Sequence, residues 1–163
     1  MLPGDFVVES PDVVLNSALD LPGTPEQLWP WLAQLGKDRG GWYLPARIER
    51  WLPPRRRGLR AIEPRYQSLA VGTEIPDWGG PAAAFEVALI DPGHALVYRS
   101  QRGRMTLSWA LVLTPAGPGR TRLHLRLRLG HVRRRRLAAI GGGLIDKLTV
   151  AGLAAGLRER LGG

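Results

Sequence analysis

The chain has 163 residues, no cysteine, and 23 lysine and arginine side chains against 14 aspartates and glutamates, for a formal net charge of +9. That length fits one domain with a sizeable core, and the missing cysteines exclude disulfides, thiolate metal centres, iron–sulfur clusters and a cysteine nucleophile. All but two of the 23 cations are arginine in a chain rich in Ala, Gly, Leu and Pro, a composition that a GC-rich genome produces without selection for anion binding.

The first ten residues, MLPGDFVVES, lack the basic start and apolar run of a signal peptide, which reads as a protein that stays in the cytoplasm. Residues 12 to 20, DVVLNSALD, have strand length and are closed by the turn residues LPG. In TPEQLWPWLAQLG, Thr24 is an N-cap, Pro25 the first helical residue and Gln27 the partner in a capping box. Leu28, Trp31, Leu32 and Leu35 then recur at helical spacing, Gly36 is the stop, and Pro30 should kink the helix or divide off its first turn. Trp29 and Trp31 stand two apart and so point in different directions. Trp31 belongs to the core and Trp29 to the helix edge. Gly40 and Gly41 fit a tight turn or a hinge before Trp42.

PARIERWL, 45 to 52, is a short second helix with Ile48, Trp51 and Leu52 at spacing three and four, and RRRGLR is a basic loop after it. Gly72 and Pro76 bracket a short strand. From residue 84 the pattern alternates: AFEVALI, ALVYRS, RMTLSWALVL and TRLHLRLRL are separated by turn residues, as in an antiparallel meander. In the last of these Leu123, Leu125, Leu127 and Leu129 share one face, expected to be buried. Arg122, His124, Arg126 and Arg128 share the other, expected to be wet. Three glycines at 141 to 143 place the firm start of the final helix near Leu144, running to about Leu161, with Leu144, Leu148, Ala151 and Ala155 as its buried stripe. Asp146 and Lys147 inside that run argue against a membrane span. The fold class is α+β: a curved antiparallel sheet, two short helices after the first strand, and a long C-terminal helix across the concave face.

Read together, LPGD, TPEQLWPWLAQLGKDRGGWY, YQSLAVGTEIPD, DPGHALVYRS, SWALVLTP with GRTRLHLRLR, and AGLAAGLRER resemble the START-related helix-grip superfamily (SRPBCC), which includes bacterial polyketide cyclase/dehydrase-like proteins and lipid-transfer domains. The resemblance covers nearly the whole chain as a single START-like domain, 1–163. It implies an elongated apolar cavity between sheet and C-terminal helix that takes a small hydrophobic or amphipathic molecule of lipid, polyketide or aromatic type. The glycine-interrupted helix departs from larger relatives, and the run Arg133 to Arg136 has no role to carry over.

On that reading the candidate cavity wall comprises Trp42, Tyr43 and Trp51 as roof, with Trp78, Phe85, Arg99, Met105, Leu107, Trp109, Leu148, Ala151 and Ala155. Trp109 alternates with Met105, Leu107 and Leu111 and so takes the inner face of its strand. Arg99 either orients a ligand carboxylate or lies on the outer face. No nucleophile elbow, phosphate loop or dinucleotide fingerprint is present. His94, His124 and His131 are scattered, so no metal and no cofactor is expected. Glu74, Asp77, Glu86, Arg99 and His94 remain as candidate polar groups for chemistry. Three functions stand open: a carrier or sensor of a small apolar ligand, a cyclase, dehydrase or hydrolase acting on a polyketide-like or aromatic substrate, and an interaction protein whose basic surface meets nucleic acid or anionic lipid. Sequence-specific nucleic-acid binding is not expected.

Overall fold

The structure, a computed structural model, describes residues 1–133 and 135–162, and the side chains of all of these except 135–146. In chain order the elements are β1 (Val13–Pro22), α1 (Pro25–Gln34), α2 (Ala46–Glu49), β2 (Glu74–Pro76), β3 (Ala84–Asp91), β4 (Ala95–Arg102), β5 (Met105–Pro115), β6 (Arg120–Gly130) and α3 (Arg135–Leu161). The strands form one antiparallel sheet in the order β1-β6-β5-β4-β3-β2. Its five-strand meander follows from the short Gly-containing turns, and β1 returns to pair with β6 along ten residues.

Alternation sorts the side chains onto two faces. On the inner face Leu21, Val87, Leu96, Tyr98, Leu111, Leu113, Leu123 and Leu125 form the core with Leu28, Trp31, Leu32 and Leu35 of α1 and Val150, Leu153 and Leu157 of α3. A register shift between Val87 and Leu89 marks a bulge in β3. It lets Ile90 return to the inner face while Ala88 and Leu89 pack outward.

The outer face is not wet, as the alternation suggested. Residues 2 to 9 lie over it. Val7 packs against Ala95, Val97, Ala110 and Val112, a second small core, and Gly4 approaches so closely that an added Cβ would stand 2.7 Å from Val97. Asp5 receives Arg126 at 2.9 Å and Arg128 at 3.0 Å, while Arg128 also donates to the carbonyls of Val8 and Glu9. Arg122 binds Asp20 through both nitrogens of its fork. The arginine face of β6 is thus engaged within the chain.

Two expectations for α3 are corrected. The helix begins at Arg135, not near Leu144, and runs through Gly141 to Gly143. Each glycine costs up to about 1 kcal/mol against alanine, which a helix continued on both sides absorbs. The buried stripe is Val150, Leu153, Ala154 and Leu157, whereas Leu148 and Ala151 are exposed and Ala155 is half-buried. The reason lies in Gly152 and Gly156: a Cβ on Gly156 would meet the Tyr43 carbonyl at 2.5 Å, so these glycines, not the alanines, mark the side of α3 that is pressed inward. Arg134 and the side chains of Arg135, Arg136 and Leu144 lie outside the described residues, and Arg133 is exposed. No helix among the described residues is long and apolar enough to cross a membrane.

Candidate ligand cavity

A cavity of about 500 Å³ opens between the inner face of the sheet and α3. Leu15 of β1, Leu125, Leu127 and Leu129 of β6, Ile75 of β2 and Val150 of α3 supply its aliphatic wall, and Trp42, Phe85, Tyr98 and Trp109 supply an aromatic one. That size and lining suit a small organic molecule.

The aromatic wall is built by strand register. Tyr98 of β4 lies directly opposite Trp109 of β5, and the two rings stack at 5.6 Å and 24°. Trp42 stacks on Trp109 at 5.9 Å and 28°, and Phe85 adds tilted contacts to Tyr98 and Trp109. Trp42 arrives from the loop after α1, which the bridge between Gly36 and Gly41 closes into a tight turn. The Gly40 amide donates to the Gln34 carbonyl at 2.6 Å, and a Cβ there would meet both that carbonyl and the Tyr43 hydroxyl. Gly40 and Gly41 serve a turn.

Among the described residues three buried donors have no hydrogen-bond partner: Trp42 Nε1, the Tyr98 hydroxyl and Arg39 Nε. Two of them belong to residues that line the cavity. Tyr98 is only 2% exposed, and its burial pushes the phenol pKa well up against the weaker opposing pull of the Arg39 charge, so it stays a neutral donor. An unpaired buried hydroxyl is costly, and an oxygen acceptor on a bound molecule would relieve that cost.

Polar groups gather at one rim. Lys37 and Asp77 line the cavity beside Trp78, which is half exposed. Lys37 Nζ donates to the Asp77 carbonyl at 3.4 Å, and the Asp77 carboxylate is paired with Arg102. The other candidate polar groups stand elsewhere. Glu86 and Arg99 pair bidentately across β3 and β4, His94 pairs with Asp91 in an exposed turn at 2.8 Å, and Glu74 is exposed opposite Glu86.

Of the twelve wall candidates, the structure gathers Trp42, Trp78, Phe85 and Trp109 around this cavity. Tyr43 is corrected to the core: it is fully buried, its hydroxyl donates to the Trp31 carbonyl at 2.7 Å, and it meets the Trp31 ring edge-on. Trp51 is corrected to the surface, at 80% exposure. Arg99 and Leu107 line a second, more polar hollow of about 460 Å³ with Glu86, Ser100 and Thr106. Met105, half-buried, ends the same inner row beyond the cavity. Leu148, Ala151 and Ala155 fall off the lining because α3 is rotated, and Thr149 and Val150 take their place.

Sequence reasoning passed over Tyr98 and Glu49. The signal for Tyr98 was present, since ALVYRS alternates and puts Tyr98 on the face opposite to Arg99 and Val97. Nothing in the sequence marks Glu49. This carboxylate, 5% exposed, accepts from Arg160 at 2.8 Å and Arg60 at 2.7 Å, and from the amides of Leu44 and Gly58. Burial acts to raise its pKa, but the two arginine hydrogen bonds and the Leu44 amide outweigh it and hold the group below the ordinary carboxylate value.

No protein-family model matches the sequence, and no curated protein matches it. Solved structures do match. The chain is similar to protein MLL2253 from Mesorhizobium loti, with TM-score 0.58, 22% identity, and coverage of 90% of this chain and 98% of that one. CalU16 from Micromonospora echinospora gives TM-score 0.56 at 14% identity, over 88% of this chain and 75% of that one. DynU16, a protein of the dynemicin biosynthetic locus, gives TM-score 0.53 at 19% identity, and the chain spans about half its length, 46%. At these identities the likeness is one of fold. The six-stranded antiparallel sheet, the short helices after β1 and the long C-terminal helix give this chain the helix-grip fold.

Proposed function

We propose that the protein binds one small, largely apolar molecule beneath α3 as a carrier or sensor, with an oxygen of the ligand accepting from the Tyr98 hydroxyl or the Trp42 indole N–H. The observation that carries this reading is a largely apolar chamber of about 500 Å³, two of whose lining residues, Trp42 and Tyr98, each hold a buried donor without a hydrogen-bond partner. Flat aromatic surfaces on Trp42, Tyr98 and Trp109 favour a planar or conjugated ligand, because stacked rings gain beyond the area they bury. The position of DynU16 in a natural-product locus agrees with a ligand of polyketide type, and the likeness in fold agrees with membership of the SRPBCC superfamily.

Binding is favoured over catalysis because Asp77, the one carboxylate among the described residues that lines the cavity, is held by Arg102. A general base needs a free lone pair within hydrogen-bond reach of substrate. Native mass spectrometry of freshly purified protein, followed by solvent extraction, tests the reading. The expected result is a reproducible small molecule at one per chain, or saturable displacement of an apolar dye. A folded protein that takes up neither overturns it.

A further inference from the structure

Trp51 is the most exposed large apolar side chain among the described residues apart from Met1, at 80%. It stands at the end of a helix that is turned inside out. The buried residue of α2 is Glu49, whereas Ile48 is 41% exposed. The inversion has an electrostatic result. Glu49 is the one carboxylate in residues 46 to 57, and it is consumed inside the protein by Arg60 and Arg160. What the segment itself leaves on the surface is positive: Arg47, Arg50, Arg55, Arg56 and Arg57 are all exposed and none is ion-paired among the described residues, while the neighbouring Glu159 carboxylate, which accepts the Ala46 amide at 2.8 Å, is paired with Arg60. Arg57 donates instead to the carbonyls of Leu52 and Arg50, which closes the loop on itself behind Pro53 and Pro54. The patch is separate from the β6 arginines, which are engaged by Asp5, Asp20 and the N-terminal backbone.

We propose that residues 46 to 57 dock on an anionic lipid surface, with Trp51 and Ile48 entering the headgroup zone and the arginines meeting lipid phosphates. Charge complementarity and the exposed indole point the same way, since tryptophan favours the membrane–water interface and arginine the anionic headgroup. Nucleic acid fits less well. Arginine also meets phosphates and guanine edges, but the aliphatic Ile48, 41% exposed beside the indole, has no counterpart on a nucleic acid and suits the apolar side of a headgroup layer.

The test is vesicle flotation with the full chain, using phosphatidylcholine alone and phosphatidylcholine containing one third phosphatidylglycerol, at physiological salt. Flotation with the mixed vesicles alone, weakened by added salt, is expected. Each of Arg55→Ala and Arg56→Ala should lower the partition constant by about fivefold. Trp51→Phe should abolish the tryptophan quenching that brominated lipid produces at that position, and Trp51→Ala should weaken partition by about fivefold or more. All three residues substituted are exposed, and a matching thermal melt shows that the fold is kept. Binding equal on neutral vesicles, binding untouched by these variants, or loss caused instead by Arg122→Ala would each overturn the proposal. So would an oligonucleotide that competes the protein off mixed vesicles and itself depends on Trp51 and Arg55.

Discussion

Arg160, in the last turn of α3, donates to Glu49 Oε1 at 2.8 Å, and their side chains are 1% and 5% exposed. The same guanidinium serves the carbonyls of Leu44, Gly58, Leu59 and Gly156 and lies 4.7 Å from the Tyr43 ring centroid. One side chain therefore ties the end of α3 to the loop that carries Trp42 and to the segment before β2.

Arg160→Met should destabilise the protein by about 3–5 kcal/mol, because it leaves a buried carboxylate with only Arg60 as counter-charge. Arg160→Lys should recover little of this, since a lysine cannot reproduce a planar fork that donates to five acceptors. Urea unfolding followed by circular dichroism reads both, and near-wild-type stability in the methionine variant would show that the pair is dispensable.

Acid should destabilise the fold from below about pH 4.5. Glu49 and Asp5 both have folded-state pKa values held beneath their ordinary values of 4.5 and 3.8. For Asp5, burial opposes the shift and the Leu2 amide with the charges of Arg126 and Arg128 overcomes it. The unfolded chain binds protons first as pH falls, so the contribution is complete above the unfolded values and is lost towards the folded ones. Buried Tyr43 and Tyr98 have the opposite sign: burial raises both from 10, so stability falls as pH rises above that value. Melting temperature against pH should be a plateau with these two shoulders, and Asp5→Asn should soften the acid one.

Tyr98→Phe separates binding from stability. Removing a hydroxyl that has no partner within the protein should leave stability unchanged or raise it, while ligand or dye affinity falls about two- to tenfold, the worth of one net hydrogen bond. Calorimetric titration beside a thermal melt decides the matter. A clear loss of stability without loss of affinity would place the hydroxyl in the scaffold.

Deleting residues 1 to 9 should leave Arg126 and Arg128 without Asp5 and uncover Val97 and Ala110 on the outer face. Asp5→Ala alone should cost about 1.5–3 kcal/mol, the range for hydrogen bonds to charged groups. Gly4→Ala should also destabilise, as φ is +93° there and the new methyl would overlap Val97. Nucleic-acid affinity in the deletion variant should rise above that of the intact chain, since two arginines are released, and a filter-binding titration measures it.

The sequence made the strands, their order along the chain and the capped first helix legible, because alternation over LHLRLRL and the pairing of Thr24 with Gln27 are local patterns. Gln27 Oε1 does accept the Thr24 amide, at 2.8 Å. What failed was the phase of α3 and the roof. Leu148 drew the stripe two residues away from Val150, since hydrophobicity alone does not reveal that Gly152 and Gly156 face the loop. Trp51 was expected in the roof because the resemblance sets the short second helix over the cavity, and the burial of Glu49, two residues earlier and on the opposite side of that helix, displays it instead. The N-terminal cover escaped notice for a related reason. MLPGDFVV has no periodicity, and its partners lie more than a hundred residues away in β6.

Gly156 gives the cavity a fulcrum. The helix backbone approaches the Tyr43–Leu44 peptide so closely that a Cβ at 156 would stand 2.5 Å from the Tyr43 carbonyl, and Arg160 pins it one turn further on. The span between α3 and the sheet is therefore fixed at that point of contact, while Thr149 and Val150 overhang the chamber on the free side. A bulkier lining residue subtracts room from within. A methyl at 156 acts from outside, levering the whole roof upward, so the chamber's capacity is governed by a residue that never touches its contents.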